Sequence, residues 1–72
     1  MKRNETRDRI VRYVAIFRTV HNHGPRAGEI AQALGMLPRN VYYHLGQALI
    51  RKELTIANPG DYRTLDVPEV AK

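Results

Sequence analysis

The stretch that decides the fold is Arg26–Leu54, RAGEIAQALGMLPRNVYYHLGQALIRKEL. Ile30, Ala31 and Leu34 recur at helical spacing and stop at Gly35, a residue suited to the left-handed position that ends a helix. Pro38 then suits the first turn of a new helix. Val41, Tyr42, Leu45, Ala48 and Leu49 cover about 120° of arc at roughly 100° per residue, which makes them its inner face. The pattern predicts a helix over 27–34, a tight turn, and a longer helix over 38–52. Arg39, Asn40, Tyr43 and Gln47 fall opposite the inner face, with His44 and Arg51 on the flank. No acid occurs between Glu29 and Glu53. A DNA duplex repels carboxylates, so a helix free of them, with side chains able to read base edges, suits the major groove.

Upstream, a helix is expected over 5–23, with Asn4 or Thr6 as its N-cap. Ile10, Val14, Phe17 and His21 mark one apolar stripe; Tyr13, Ile16 and Val20 mark an adjacent one, and with Val11 the arc is wider than a single core face needs. Gly24 and Pro25 stop this helix, with Asn22 and His23 finishing it. Downstream the period changes to two. Leu54 and Ile56 alternate, as do Leu65 and Val67, around Asn58-Pro59-Gly60-Asp61, whose Pro-Gly centre signals a turn. A hairpin over 54–67 follows, closed by Pro68 and a short tail over 68–72. The expected fold class is mainly α with a small β-hairpin, a three-helix winged helix-turn-helix in one domain over 1–72.

Composition narrows the function classes. Twelve Lys+Arg against seven Asp+Glu give a net charge of +5, a balance that favours a polyanionic partner. Six of the cations lie within 2–18, while 61–72 hold three acids and two cations, so the tail is expected to point away from a polyanion. The chain has no Ser and no Cys, which removes the commonest hydroxyl and thiol nucleophiles, any disulfide framework and any zinc finger. It also lacks clustered carboxylates and a glycine-rich phosphate loop. An enzyme is not expected, and neither is a cofactor. No stretch approaches a bilayer span and the basic start runs into charged residues rather than an apolar core, so no membrane role or signal peptide is expected. A cytoplasmic location, in a prokaryotic cell or a phage-infected host, is the expectation.

Three helices followed by a hairpin, with EIAQALGM at 29–36 and VYYHLGQAL at 41–49, resemble winged helix-turn-helix DNA-binding proteins over about residues 7–67. The first segment is similar to the N-terminal DNA-binding domain of LexA-type repressors. The second is similar to the recognition helix of ArsR- and MarR-type regulators. Single-domain regulators of the FaeA/PapI type and small phage regulators share the size and order. The resemblance implies a sequence-specific regulator with the 38–52 helix in the major groove and the hairpin, or wing, on the backbone. Three features depart from the family pattern. The Ser or Thr that usually caps the second and third helices is replaced by Arg26 and Leu37, and a lost cap costs about 1 kcal/mol. The glycine usual before the wing falls on Lys52 or Glu53. Gly46 leaves the register of the recognition helix open by one residue.

The candidate DNA-binding residues are Arg26, Arg39, Asn40, Tyr43, His44, Gln47, Arg51, Tyr62 and Arg63. Asn40 and Gln47 suit bidentate pairing with adenine and Arg39 with guanine, each pair worth about 1–3 kcal/mol of discrimination; the alternative for each is a solvated polar face. Tyr43 offers a hydroxyl to phosphate and a ring to a thymine methyl, or is a partly exposed packing residue. His44 offers a donor to phosphate or a base. Arg26 stands in for the missing cap hydroxyl as a phosphate contact. Arg51, with Lys52, closes the helix, where cations also suit the dipole. Arg63 and Tyr62 follow the hairpin turn, where a wing touches phosphate or the minor groove. A metal site would need His44 to join His21 and His23, and none is expected; nor is a small-molecule ligand.

For the wide arc of the first helix two readings stand. Tyr13, Ile16 and Val20 pack on the hairpin and tail, or they form the seam of a homodimer that reads two half-sites. With no room for an effector domain in the chain, control is expected through abundance, a partner protein or competition for DNA. The competing reading is a winged helix used for protein–protein contact within a nucleoprotein or regulatory complex, which an exposed Ile50 favours and the acid-free run opposes. RNA binding is a third, weakened by the lack of an aromatic stacking platform.

Overall fold

The computed structural model describes residues 5–68. Three helices, α1 (Glu5–His21), α2 (Ala27–Leu34) and α3 (Pro38–Ile50), precede a two-stranded antiparallel hairpin of β1 (Thr55–Ile56) and β2 (Leu65–Asp66). The fold is mainly α with a small hairpin, in the element order that the sequence predicts. Ten apolar residues form the core: Ile10 and Val14 of α1, Ala27, Ile30 and Ala31 of α2, Val41, Leu45 and Ala48 of α3, and Leu54 and Leu65 of the hairpin. All three helices and β2 contribute to this cluster, with Leu54 just before β1 and Ile56 of β1 packed against it, so no helix buries its face without the others.

The expected N-cap Asn4 lies outside the described residues, and Thr6 stands within the helix. α1 stops at His21, two residues short of expectation. Asn22 takes a left-handed φ of 63° and its N–H donates to the Arg18 carbonyl at 2.8 Å; asparagine tolerates this conformation and ends the helix before glycine is reached. Gly24 therefore has another task. A β-carbon there would stand 2.5 Å from the Leu65 carbonyl oxygen, and its N–H donates to the Arg63 carbonyl at 2.8 Å. Only glycine lets the hairpin return lie this close to the α1–α2 connection.

α2 has the bounds the sequence predicts. Its N-cap, Arg26, supplies no side-chain cap; instead the Arg26 N–H donates to Glu29 Oε1 at 2.8 Å, the reciprocal half of a capping box. Gly35, at φ 67°, closes the helix, and the Met36 N–H bonds back to the Ala31 carbonyl at 2.8 Å.

α3 starts at Pro38, behind an N-cap Leu37 that also lacks a side-chain cap. It ends at Ile50 rather than 52. Lys52 takes a left-handed φ of 62°, the Lys52 N–H donates to the Leu49 carbonyl at 3.2 Å, and the Glu53 N–H to the Ala48 carbonyl at 2.8 Å. These two bonds make a Schellman ending with lysine at the position glycine normally holds. Of Lys52 and Glu53, Lys52 is the one in the left-handed conformation.

The hairpin is shorter than the expected 54–67. Only Thr55 opposite Asp66 and Ile56 opposite Leu65 pair as strand residues. The turn at 58–61 forms, with the Asp61 N–H donating to the Asn58 carbonyl at 2.8 Å, but a 3-10 turn at Tyr62–Thr64 takes up the following residues. Asp61 caps it by accepting from the Arg63 N–H at 3.0 Å, and Thr64 Oγ1 donates to the Asp61 carbonyl at 2.7 Å. Local side-chain bonds thus win over further ladder bonds. Arg18 of α1 holds the returning strand, donating to the Arg63 and Leu65 carbonyls at 3.2 and 3.3 Å and pairing with Asp66 at 3.0 Å. Among the described residues, no helix is long and apolar enough to cross a membrane.

Candidate nucleic-acid interface

The outer face of α3 follows from which residues its inner face buries. Val41, Leu45 and Ala48 are buried and Leu49 is partly so. Tyr42, expected on the inner face, is 54% exposed, which corrects that expectation. It sits at the edge of the expected arc, about 100° from Val41, and the buried set is centred on Val41 and Ala48, rotating Tyr42 outward. The same rotation turns His44 inward: it is half-buried, with Nδ1 enclosed and without a hydrogen-bond partner, and its ring lies 5.2 Å from that of Tyr43. Any outward contact by His44 therefore runs through Nε2.

Arg39, Asn40 and Tyr43 are exposed and Gln47 partly so; α3 carries them together on one face. Arg51 is exposed just beyond its end. At a rise of 1.5 Å per residue, Arg39 and Arg51 stand about 18 Å apart along the axis.

The remaining candidates lie elsewhere. Arg26 is exposed at the start of α2, on the rim of an open cleft of about 790 Å³ whose walls include Gly28, Gln32, Tyr42, Asp61 and Tyr62. Tyr62 is half-buried, its ring 5.9 Å from that of Tyr42. Burial, with a smaller contribution from Tyr42, pushes the Tyr62 phenol above its ordinary range. The cleft thus joins Arg26 and Tyr62 through Tyr42 and Gln32, two residues that the sequence reading left out of the site. Their signal was weak: Tyr42 is apolar enough to pass for core, and Gln32 is an ordinary polar residue of a short helix.

Arg63 is turned inward. Its guanidinium donates to both Glu29 carboxylate oxygens, at 2.8 and 3.2 Å, and to the Gly24 carbonyl at 3.1 Å. The structure spends this cation on holding the hairpin return against α2. Glu29 in turn accepts from the Arg26 N–H and from Arg63, which hold its carboxyl below the usual carboxylate range, the backbone bond being the larger cause. At the other end of α3, Arg7 grips Glu53 at 2.6 Å, and this bond raises the guanidinium above its ordinary value. The two acids that flank the acid-free run are therefore both engaged by arginines.

His21 and His23 pack against Phe17, the first tilted and the second edge-on, at ring distances of 4.2 and 5.6 Å, whereas His44 packs on Tyr43. Of the proposed α1 seam, Tyr13 packs against the core, whereas Ile16 and Val20 stay exposed. Compared with protein-family models and with curated proteins, the chain matches none.

Proposed function

We propose that this chain is a winged helix-turn-helix protein that binds double-stranded DNA sequence-specifically and acts as a small transcriptional regulator. α3 enters the major groove, and Arg26 and the 57–64 loop approach the backbone. The observation that carries this reading is the outer face of α3: Arg39, Asn40 and Tyr43 exposed on a helix without a single acid. The electrostatics favour the same partner. With Glu29 held by Arg63 and Glu53 by Arg7, the two acids nearest α3 in sequence are paired, while Arg26, Arg39, Arg51 and Lys52 stay exposed. Cations of this kind give affinity that falls with salt, and the base-reading side chains give preference among sequences. The expected place of action is the cytoplasm of a prokaryotic or phage-infected cell.

Two copies joined through Ile16 and Val20 of α1 would present two reading helices to an inverted repeat. Selection of binding sites from a random duplex pool at two salt concentrations tests both points. An enriched inverted repeat supports specific reading by a dimer, and a single short site supports a monomer. Binding that enriches nothing and vanishes as salt rises leaves only charge attraction.

One observation favours a second reading, a protein-interaction module: Ile50, at the C-terminal end of α3, is 74% exposed. Specific partner capture that Ile50→Asp abolishes, with no enriched duplex, would replace the DNA reading by this one.

A further inference from the structure

Gly46 stands in the middle of α3, four residues after Tyr42 and four before Ile50. Residues three and four apart share a helix face, so Tyr42, Tyr43, Leu49 and Ile50 surround it. Tyr42, Tyr43 and Ile50 are all more than half exposed. A β-carbon on Gly46 would nonetheless meet nothing within 4 Å, and its φ is not positive. Neither packing nor backbone conformation within the chain requires glycine here. In a helix interior only proline is less favourable, and a domain this small has little stability to spare. Such a residue makes sense where an outside body must come close to the helix backbone.

The resulting notch has the Gly46 backbone as its floor and two tyrosines and an isoleucine as its rim. It opens on the outer face that carries Arg39. A second copy of α3 would be repelled there by its own Arg39 and the Arg51 that follows it, whereas a polyanion is attracted. On the major-groove edge of B-DNA, the one apolar projection is the C5-methyl of thymine, and it matches an apolar rim. We infer that the Gly46 notch receives a thymine methyl, the missing side chain letting α3 seat one methyl deeper in the groove. This assignment rests on the DNA-binding reading above.

The test uses the duplex enriched by selection, with each dT replaced singly by dU, which removes only the methyl. At one position the native chain is expected to lose about fourfold in affinity, the equivalent of one buried methyl group. Gly46→Ala is expected to melt roughly 4–8 °C higher, to bind the dT duplex about tenfold more weakly, and to stop distinguishing dT from dU there. If a duplex is enriched but no dU substitution matters, or if Gly46→Ala binds unchanged, the notch assignment is overturned and the DNA reading stands. A lower melting temperature for Gly46→Ala would mean the fold needs the glycine, and would overturn the assignment too. Failure to enrich any duplex would overturn both.

Discussion

Arg63 reaches across 34 positions of sequence to grip both carboxylate oxygens of Glu29, at 2.8 and 3.2 Å. The pair joins the 3-10 turn at the hairpin's return to the first turn of α2. Both side chains are partly exposed, at 30% and 41%, so solvent screens the attraction. Arg63→Ala is therefore expected to cost about 0.5–1.5 kcal/mol, including the bond to the Gly24 carbonyl. If the chain binds DNA as proposed, the effect of this substitution on the salt dependence of that binding separates two roles. A cation committed to Glu29 leaves the slope nearly unchanged, whereas a phosphate contact would lower it by about one unit. Denaturant unfolding, with binding titrations across a salt series, reads both.

The bonds that lower the Glu29 carboxyl below its usual range also set an acid limit on stability. A carboxylate that binds its proton less readily when folded contributes stability above its unfolded pKa of roughly 4.3. That contribution is lost as pH falls from there through the lower folded value. Stability is expected to decline below about pH 5. Glu29→Gln removes this group's share of the decline and lowers stability at neutral pH, because the amide no longer pairs with Arg63. Thermal unfolding followed from pH 7 to pH 3 checks the difference; identical pH profiles for the two proteins would sink it.

Local chemistry made the helices legible in the sequence. Gly35 and Pro38 punctuate α2 and α3, and helical periodicity finds Ile30, Val41, Leu45 and Ala48, all of which are buried. What stayed hidden depends on contacts distant in sequence. Nothing local says that Arg63 meets Glu29, or that Gly24 serves a close approach to Leu65 rather than a helix end. Tyr42 and His44 lie on opposite edges of the α3 inner face, and a rotation of a few tens of degrees, set by α1 and α2 packing, exchanges their exposure. The ends at Asn22 and Lys52 were missed because non-glycine residues hold left-handed conformations there.

Lys52 offers a direct stability test. A left-handed conformation costs a residue with a β-carbon roughly 1–2 kcal/mol, and glycine escapes that cost. Glycine also has more freedom to lose from the unfolded chain, which offsets part of the gain. Lys52→Gly is expected to stabilise the fold by about 0.5–1 kcal/mol, with Lys52→Asn between the two. Loss of stability in Lys52→Gly, measured by chemical denaturation, would mean that the side chain makes a contact worth more than the strain.

Asn40 and Gln47 test the reading of α3 itself. If they pair with base edges, Asn40→Ala and Gln47→Ala each remove about 1–3 kcal/mol of discrimination at one base pair. Affinity for unrelated duplexes then changes little. Arg51 lies beyond the helix, about 6 Å further along the axis than Gln47. A phosphate contact there carries no sequence information, so Arg51→Ala is expected to weaken all duplexes alike and to reduce the salt slope by about one unit. Repeating the site selection with each variant gives the pattern. Asn40→Ala and Gln47→Ala are expected to relax the motif at separate positions, with Arg51→Ala leaving it intact. Three identical outcomes would mean that the exposed polar face of α3 holds the duplex without reading it.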